Sequence, residues 1–420
     1  MFAALRARDF RLLWAGQTVS VFGDGLVIVA IGLYVTRLTG RPSDVAIVLF
    51  AYSLPLVVFI LFGGVLADRL PRQRLTVGTD LIRAGLHATL AVLIATGAVR
   101  IWHLVVIGLC FATAEAFFRP AYTGLVPQTV PESDIQSAQA LGGMSNSLAE
   151  FMSPALATAL VLGVGAAAAF AVDAATFVVS AALVSRVRPR PRGAGVGPDE
   201  PASTLQQLRA GWHAVRERSW VWATISVFCL ALLTALAPFF VLGATVSRAR
   251  YGSETVYGLT NVGWGLGTVT GALVASRWRP RHPMRTAMSC GIWWPAAIAL
   301  FALGVPVGLN YASMTLAGVG IGMFGVWWET ALAQRIPPEL LSRVSAWDWM
   351  GSLALLPLGY LLAGWLAGIL GAANVMAVGG LLGTAALGAG LLPEQTRSLR
   401  RLESPQAPPE TRVTDPQLAK

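Results

Sequence analysis

Twelve apolar stretches, each about 20 residues long, restrict this chain to folds that a lipid bilayer can surround. They lie at about 12–36, 44–67, 75–97, 102–124, 139–162, 166–186, 220–246, 254–277, 285–304, 309–334, 343–368 and 372–392. An α-helix of this length spans the hydrocarbon core of a bilayer, which is about 30 Å thick. Only 12% of the residues are charged, whereas soluble domains carry about a quarter. The sequence therefore predicts an all-α integral membrane protein with twelve transmembrane helices.

The distribution of basic residues predicts how these helices are oriented. If the N-terminus is inside, 25 of the 31 Lys and Arg residues fall in inner segments, 5 fall in outer segments, and Arg83 lies within a helix. Lys and Arg are enriched on the cytoplasmic side of membrane proteins. We therefore expect a multi-pass protein of the cell (inner, cytoplasmic) membrane with both termini in the cytoplasm. Because the basic residues lie in short tracts between apolar stretches, they do not indicate a nucleic-acid partner.

The longest loop divides the twelve helices into two sets of six. We predict a six-helix bundle at 1–186, a cytoplasmic linker with an amphipathic interfacial helix at 187–219, a second six-helix bundle at 220–393 and a disordered tail at 394–420. Sequence landmarks recur at nearly the same spacing in the two bundles: RLLW at Trp14 matches SWVW at Trp222, and GGVLADR matches GALVASR. Such a repeat predicts two pseudo-symmetric bundles with a binding site between them, near the middle of the membrane.

The sequence gives no indication of an enzyme, a bound metal or a cofactor. Cys110, Cys229 and Cys290 are far apart and lie in apolar stretches, so they are typical of small hydrophobic residues. Lys420 is the only lysine, which excludes a Walker A loop and therefore ATP-driven transport by this chain alone. We find no catalytic nucleophile with a neighbouring base.

Ionisable residues inside the apolar stretches are the candidate functional residues, because charge in a bilayer is rare and usually serves a function. Asp24 lies near the middle of the first helix, between two glycines. Since burial favours the protonated form of a carboxyl, Asp24 is a candidate for proton coupling. The alternative is a neutral residue that caps a local helix break. Asp80 and Arg83 are three residues apart, which favours an intramembrane ion pair.

Several other charged residues leave two interpretations open. Glu115 and Arg119 share a helical face, so Glu115 is either half of a structural ion pair or a further proton-coupling residue. Glu329, in the tenth helix, is the third proton-coupling candidate. His87 follows Arg83 by one helical turn and is either a structural residue or a proton relay. The sequence does not decide whether His87, Glu150 or Asp173 takes part in coupling.

Five segments carry motifs that are found together in a known family: FRLLWAGQTVSVFGDG (10–25), GGVLADRLPRQRL (63–75), DLIRA (80–84), FFRPAYTGLVPQTVPESDIQSAQAL (117–141) and QRIPPELLSRV (334–344). In these segments the chain resembles the major facilitator superfamily, specifically the proton-driven exporter branch that holds enterobactin exporters and macrolide efflux proteins. The resemblance implies efflux of a bulky amphipathic small molecule, such as a drug, an antibiotic or a siderophore, in exchange for protons by alternating access. We expect a monomer whose partners are the substrate, protons and the lipid bilayer. The alternatives are an importer or uniporter of a metabolite, a lipid-handling protein and a non-transporting receptor of the same fold.

The resemblance also implies roles for individual residues. The loop after the second helix resembles a motif that latches the two bundles together when the site faces outward, and Arg119 is a candidate extra partner; the motif residues are Gly64, Asp68, Arg69 and Arg72. In the superfamily the tenth helix faces the transport pathway, which favours Glu329. The sixth helix is peripheral there, which favours a structural role for Asp173. Tryptophans in helices that border the cavity are candidates for substrate contacts, with packing against lipid as the alternative; they are Trp264, Trp327, Trp328, Trp347 and Trp349. Because adjacent residues on a helix face different ways, at most one tryptophan of each close pair is expected to point inward.

Overall fold

The computed structural model describes residues 3–131, 134–190, 204–278 and 280–400. Within these ranges, side chains are described except at residues 60–69, 136, 140, 147, 150, 151, 204–208, 210, 338, 339, 341, 342 and 346. Nearly all of the described chain is helical, and this part contains no strand. Helices satisfy their own backbone hydrogen bonds, which a segment surrounded by hydrocarbon requires.

The first half of the protein contains six long helices that alternate in direction. They are α1 (Arg8–Thr39), α2 (Pro42–Arg69), α3 (Arg72–Ala95), α4 (Ile101–Leu125), α5 (Ile135–Gly163) and α6 (Ala166–Val184). Short connections reverse the chain between them. After α1, for example, Gly40 adopts a left-handed φ of 67°, and its N–H donates to the carbonyl of Thr36. This is a helix ending that favours glycine.

A linker helix, α7 (Thr204–Arg216), precedes six further crossings in the second half. Three of these crossings consist of two consecutive helical segments: α8 (Ser219–Ala231) with α9 (Ala237–Tyr251), α11 (Pro283–Gly291) with α12 (Trp293–Leu303), and α14 (Pro338–Leu353) with α15 (Leu356–Leu370). The other three are α10 (Thr255–Arg277), α13 (Val307–Arg335) and α16 (Ala372–Ala389). Each divided crossing has a proline just after its break, at Pro238, Pro295 and Pro357. Proline lacks the backbone N–H and therefore interrupts the regular hydrogen bonding of a helix.

Among the residues whose side chains are described, ten of the twelve crossings contain a segment long and apolar enough to span a membrane. The other two are α5, in which Met152–Gly163 is a shorter apolar helix, and α10, which contains polar residues such as Asn261 and Thr268. Large apolar side chains, including Leu81, Leu266 and Leu316, are exposed on the outside of the bundle, as expected for a surface in contact with lipid. The prediction of an all-α membrane protein with twelve helices in two six-helix bundles is confirmed.

The helix directions define two ends of the molecule. We call the end that carries the α2–α3 turn, the α6–α7 connection and the described chain ends the linker side. The opposite end, with the α1–α2, α3–α4 and α5–α6 turns, is the far side. The helical start of the chain at Ala3–Arg6 and the last helix both lie at the linker side.

The beginning of the C-terminal tail is ordered, in contrast to the prediction of disorder from residue 394. Glu394–Ser398 forms a short helix, α17. Thr396 is fully buried, and the side-chain oxygen of Gln395 accepts a hydrogen bond of 3.1 Å from the backbone N–H of Ser219. These contacts fix the segment against the start of α8. Residues 401–420 of the predicted tail lie outside the described residues.

The helix α7 (Thr204–Arg216) lies within the segment 187–219, where the sequence predicts an amphipathic interfacial helix. The rings of Trp212 in α7 and Trp347 in α14 lie 4.9 Å apart. Gly211 packs against Arg343, where an added Cβ would lie 3.0 Å from the Arg343 side chain. These contacts attach α7 to the second half. The earlier part of the predicted linker, residues 191–203, lies outside the described residues.

Candidate functional site

The two halves contact each other near the far side. Arg37 at the end of α1 donates to the Glu254 carboxylate beside α10, with Nε 2.5 Å from Oε2, and Arg248 of α9 pairs with the same carboxylate. Thr158 of α5 donates to the carbonyl of Gly258 in α10 at 3.3 Å. The Arg37–Glu254 and Thr158–Gly258 contacts join the two halves. The structure therefore shows the protein closed at its far side.

A group of charged residues lies in the middle of the first half, and we call it the charge cluster: Asp24, Asp80, Arg83, His87, Glu115, Arg119 and Asp173. Arg83 of α3 is at its centre. The guanidinium pairs with Asp80 on the same helix and with Glu115 of α4, and it lies 3.9 Å from Asp24 Oδ2 on α1. The side chains of Arg83 and Asp80 are fully buried. Three helices are thus joined through one permanently charged group.

Aromatic rings and a hydroxyl complete the surroundings of Arg83. The guanidinium carbon lies 4.0 Å from the ring centroid of Phe118 and 4.3 Å from that of Phe177, which are favourable distances for a cation–π interaction. Ser180 of α6 donates to the second oxygen of Asp80 at 2.8 Å. Every carboxylate oxygen of Asp80 thus has a partner, as a buried charge requires.

Glu115 connects the buried centre of the cluster with its exposed edge. One carboxylate oxygen pairs with Arg83, and the other accepts a hydrogen bond of 2.7 Å from Arg119 Nε. The Arg119 side chain is 50% exposed, whereas that of Glu115 is 14% exposed. Because Arg119 lies between Glu115 and the end of α4 at Leu125, the cluster is exposed toward the linker side.

His87 forms the deepest part of the cluster, one turn beyond Arg83 on α3. Its Nδ1 pairs with the Asp173 carboxylate of α6, and both side chains are fully buried. Its Nε2 lies 3.3 Å from the hydroxyl of Tyr52 on α2. The imidazole also stacks on Phe111, with ring centroids 4.2 Å apart. The histidine therefore has a polar partner at each ring nitrogen.

Asp24 is the acidic residue that joins this buried group to open space. Its side chain is 29% exposed, and α1 runs continuously through it from Arg8 to Thr39, so it does not cap a helix break. The neighbouring glycines allow close approach of other helices. A Cβ at Gly23 would overlap Asp173, and a Cβ at Gly25 would overlap Ser153 of α5.

The cluster contains more acid than base. With the carboxyls ionised and His87 neutral, it holds two more carboxylates than guanidinium groups. Asp80 and Glu115 each bond directly to arginine, but Asp24 and Asp173 do not. Uncompensated charge is unfavourable at membrane depth. The arrangement therefore leaves the carboxylates of Asp24 and Asp173 without an arginine bonded directly to them.

The latch residues are only partly described. The helical backbone of α2 reaches Arg69, but the side chains of Asp68 and Arg69 and the surroundings of Gly64 are not described. Arg72 donates to the carbonyl of Gly124 at 2.7 Å. The latch stays a prediction. The side chain of Glu150 also lies outside the described residues.

Trp327 and Trp328 on α13 are both buried in the second half. Trp327 Nε1 donates to the carbonyl of Trp278 at 3.3 Å, and Trp328 Nε1 donates to the carboxylate of Asp348 at 2.8 Å. Their polar atoms are thus directed to neighbouring helices. The structure does not bring them to the charge cluster, and their contact with a substrate stays a prediction.

The remaining candidates of the second half are also separate from the charge cluster. Trp264 lies next to Trp294, with ring centroids 5.9 Å apart. Trp347 contacts the linker helix, and Trp349 is 58% exposed. Glu329 is exposed and makes no ion pair with any residue whose side chain the structure describes. Whether these residues contact a substrate stays a prediction.

Residues that the sequence did not single out also belong to the site. Tyr52 and Ser180 are polar residues in largely apolar helices, which is the signal that could have identified them, but their partners are far away in the sequence. The spacing of Asp80, Arg83 and His87 on one face of α3 shows that this face is polar. It does not show which helices cover it, and so the position of Asp173 beside His87 was not foreseen.

Comparisons with known proteins agree with this architecture. The profile described as Major Facilitator Superfamily matches residues 13–354. Macrolide efflux protein A of Streptococcus pyogenes is 25% identical over 378 residues, which cover 89% of this chain and 93% of that protein. The multidrug efflux pump Tap of Mycolicibacterium fortuitum is 27% identical over 373 residues, or 85% of this chain and 88% of that protein.

Solved structures show the same fold. A bacterial homologue of the human lysosomal transporter Spinster, in an inward-facing and unoccupied conformation, has a TM-score of 0.70 at 14% identity, covering 95% of this chain and 99% of the other. A mutant of the nucleoside transporter NupG has a TM-score of 0.69 at 14% identity, covering 91% of this chain and 99% of the other.

Proposed function

Because the chain belongs to the Major Facilitator Superfamily, whose members are transporters and not enzymes, we propose that it is a proton-coupled exporter of a bulky amphipathic small molecule. The names of the macrolide and multidrug efflux relatives support export of a drug or antibiotic. The observation that carries the proposal of proton coupling is the charge cluster, with its partly exposed Asp24 and its excess of carboxylates.

The orientation of the protein in the cell membrane follows from its basic residues. With 25 of them on the side that carries the linker and 5 on the other, the linker side faces the cytoplasm. The far side, which is closed, then faces outward. In this state Asp24 and Glu115 are accessible from the cytoplasm, where an exporter collects its substrate.

The exchange follows from competition at Asp24. When the halves are closed on the far side, substrate from the cytoplasm binds between them and favours release of the Asp24 proton into the cytoplasm. The halves then rock, the far side opens, and a proton from outside binds Asp24 as the substrate leaves. A ligand shifts such an equilibrium only through its different affinity for the two states.

Proton flux in inside-out vesicles tests this function. Vesicles that contain the protein are given an acidic interior, and lipophilic antibiotics, dyes and siderophores are added one at a time. We expect at least one compound to accumulate in the vesicles while dissipating the pH gradient, because entry of substrate is exchanged for exit of protons. Vesicles without the protein are the control. Accumulation that persists when an ionophore removes the gradient would exclude proton coupling.

Glu254→Gln is expected to weaken closure of the far side. Arg37 from one half and Arg248 from the other share this carboxylate, so its neutralisation leaves two cations facing each other. The Arg37 contact joins the halves, and because Arg37 is 44% exposed, its loss is expected to cost about 1 kcal/mol or less. This predicts a shift of up to roughly fivefold toward the state that is open at the far side. Spin labels at Thr96 and Val307, near the far ends of α3 and α13, would report the distance distribution.

The control for this change is Glu217→Gln. Glu217 is 56% exposed and lies 3.1 Å from His213 at the linker side, away from the contacts between the halves. Its replacement should leave the distance distribution unchanged. An unchanged distribution in Glu254→Gln as well would show that the shared carboxylate does not hold the far side closed.

A further inference from the structure

A second titratable group lies beyond Asp24, and the exchange described above does not use it. His87 and Asp173 have fully buried side chains that pair with each other. The Tyr52 hydroxyl is 3.3 Å from the other nitrogen of the imidazole. A buried histidine with a carboxylate at one nitrogen and a hydroxyl at the other differs from a histidine that merely fills space, because both of its nitrogens have partners that respond to protonation.

The charge balance of the cluster leaves room for two protons. Arg83 and Arg119 together balance Asp80 and Glu115, to which they bond directly. The remaining negative groups are Asp24 and the His87–Asp173 pair. One proton at each makes the whole cluster neutral, whereas protonation of Asp24 alone leaves a net negative charge at the fully buried pair. Such a charge is costly within a membrane.

The hydrogen bonds of the pair are compatible with both of its protonation states. In the state of the pair that holds one proton fewer, the neutral imidazole donates from Nδ1 to the Asp173 carboxylate, and its Nε2 accepts from the Tyr52 hydroxyl. With one proton more, Nε2 carries hydrogen and donates to the same hydroxyl oxygen. A tyrosine hydroxyl is both donor and acceptor, so no buried polar atom of the pair loses its partner when the proton is added or removed.

The surroundings of the pair define how a proton reaches it. The charged and titratable groups that face it from neighbouring helices are Asp24 on α1, Tyr52 on α2, Arg83 on α3 and Glu115 on α4. Phe111 and Phe177 cover the imidazole. Gly23 packs directly against Asp173, with no space even for a Cβ, and the adjacent Asp24 is partly exposed. Asp24 therefore lies between open space and the pair.

We propose that the His87–Asp173 pair is a second exchangeable proton site, loaded through Asp24, so that each transport cycle carries two protons. This inference rests on the proposed function, since it supplies the second proton of the same exchange. Tyr52 is a positioning residue in this scheme, because its hydroxyl supports either state of the imidazole without holding the transported proton.

Nuclear magnetic resonance of the full chain in lipid vesicles, labelled with ¹⁵N at histidine, tests the proposal without a known substrate. The chain has four histidines, and the His87 resonance is the one that disappears in His87→Gln. We expect the wild-type pair to bind one proton between about pH 5 and pH 8. The proton is detected either as an imidazolium at His87 or, in infrared spectra of the same samples, as a protonated carboxyl band that is lost in Asp173→Asn.

The variant Asp173→Asn keeps the size of the side chain and removes its charge. In this variant His87 should remain neutral over the whole pH range, because the buried imidazole then faces Arg83 without a neighbouring carboxylate. If His87→Gln and Asp173→Asn both fail to fold, His87 is assigned in a variant in which the other three of the four histidines, His103, His213 and His282, are replaced by Gln. In either proton-loaded form of the pair Nε2 of His87 carries hydrogen, so the ¹⁵N signal of this nitrogen reports the protonation state. A pair that keeps one protonation state from about pH 5 to pH 8 overturns the second site.

Asp24→Asn separates this proposal from the proposed function. At equilibrium this variant should retain the titration of the His87–Asp173 pair, although it should lose export against a gradient. If wild type shows the titration but Asp24→Asn exports normally, the role of Asp24 is wrong while the pair remains a proton site. If Asp24→Asn abolishes export and the pair does not titrate in wild type, coupling uses Asp24 without a second site.

Discussion

Asp24→Asn should abolish export against a concentration gradient while leaving movement down a gradient measurable. The change keeps the size of the side chain and removes its ability to bind and release a proton. Asp24 lies 3.9 Å from Arg83 and is 29% exposed, so it is the acidic residue through which a proton from solvent reaches the fully buried part of the cluster. Without coupling to protons, the steady-state ratio of substrate across the vesicle membrane should fall to about 1.

The measurement is accumulation of the identified substrate in inside-out vesicles with an acidic interior. Asp44→Asn is the matched control, because Asp44 lies in the first turn of α2 and makes no ion pair within the described residues. The control should accumulate substrate as wild type does. Gradient-driven accumulation by Asp24→Asn at the wild-type level would remove Asp24 from the mechanism and shift attention to Glu115, which is 14% exposed.

Much of the fold was predictable because membrane depth imposes a simple rule on sequence. A helix in hydrocarbon needs about 20 predominantly apolar residues, and the twelve stretches identified in the sequence correspond to the twelve helical crossings. The divided crossings were not predicted as divided, since a proline such as Pro238 is also tolerated inside an unbroken helix, as Pro55 is in α2. The sequence did not predict the helix Glu394–Ser398. This segment is polar, and the burial of Thr396 depends on contacts with residues that are distant in the sequence.

The charge cluster was predictable residue by residue but not as a unit. Charge at membrane depth indicated Asp24, Arg83 and Glu115 separately. Their convergence on one guanidinium depends on how α1, α3 and α4 pack, and nothing in the local sequence specifies this. Asp173 shows the limit most clearly. It was expected to be structural because of its peripheral helix, yet that helix places it beside His87.

Arg83→Gln is expected to destabilise the protein by about 3–5 kcal/mol, the usual effect of removing one partner of a buried ion pair. The guanidinium is fully buried, bonds to Asp80 and Glu115, and lies near a third carboxylate. Its loss leaves these acids close together without a cation. Arg119→Gln is the matched control, since Arg119 bonds to the same Glu115 but is 50% exposed. We expect it to cost about 1 kcal/mol or less.

Thermal unfolding of the purified variants at two pH values would identify the cause of the effect. If uncompensated carboxylates destabilise Arg83→Gln, protonating them should help, so its deficit should shrink between about pH 8 and about pH 5. Adding Asp80→Asn should also restore part of the lost stability, because it removes one of the repelling acids. A deficit that is independent of pH and not reduced by Asp80→Asn would instead indicate lost packing against Phe118 and Phe177. Arg83 would then stabilise this half mainly as a large buried side chain, and the excess of carboxylates in the cluster would have to be relieved by protons already bound in the resting state.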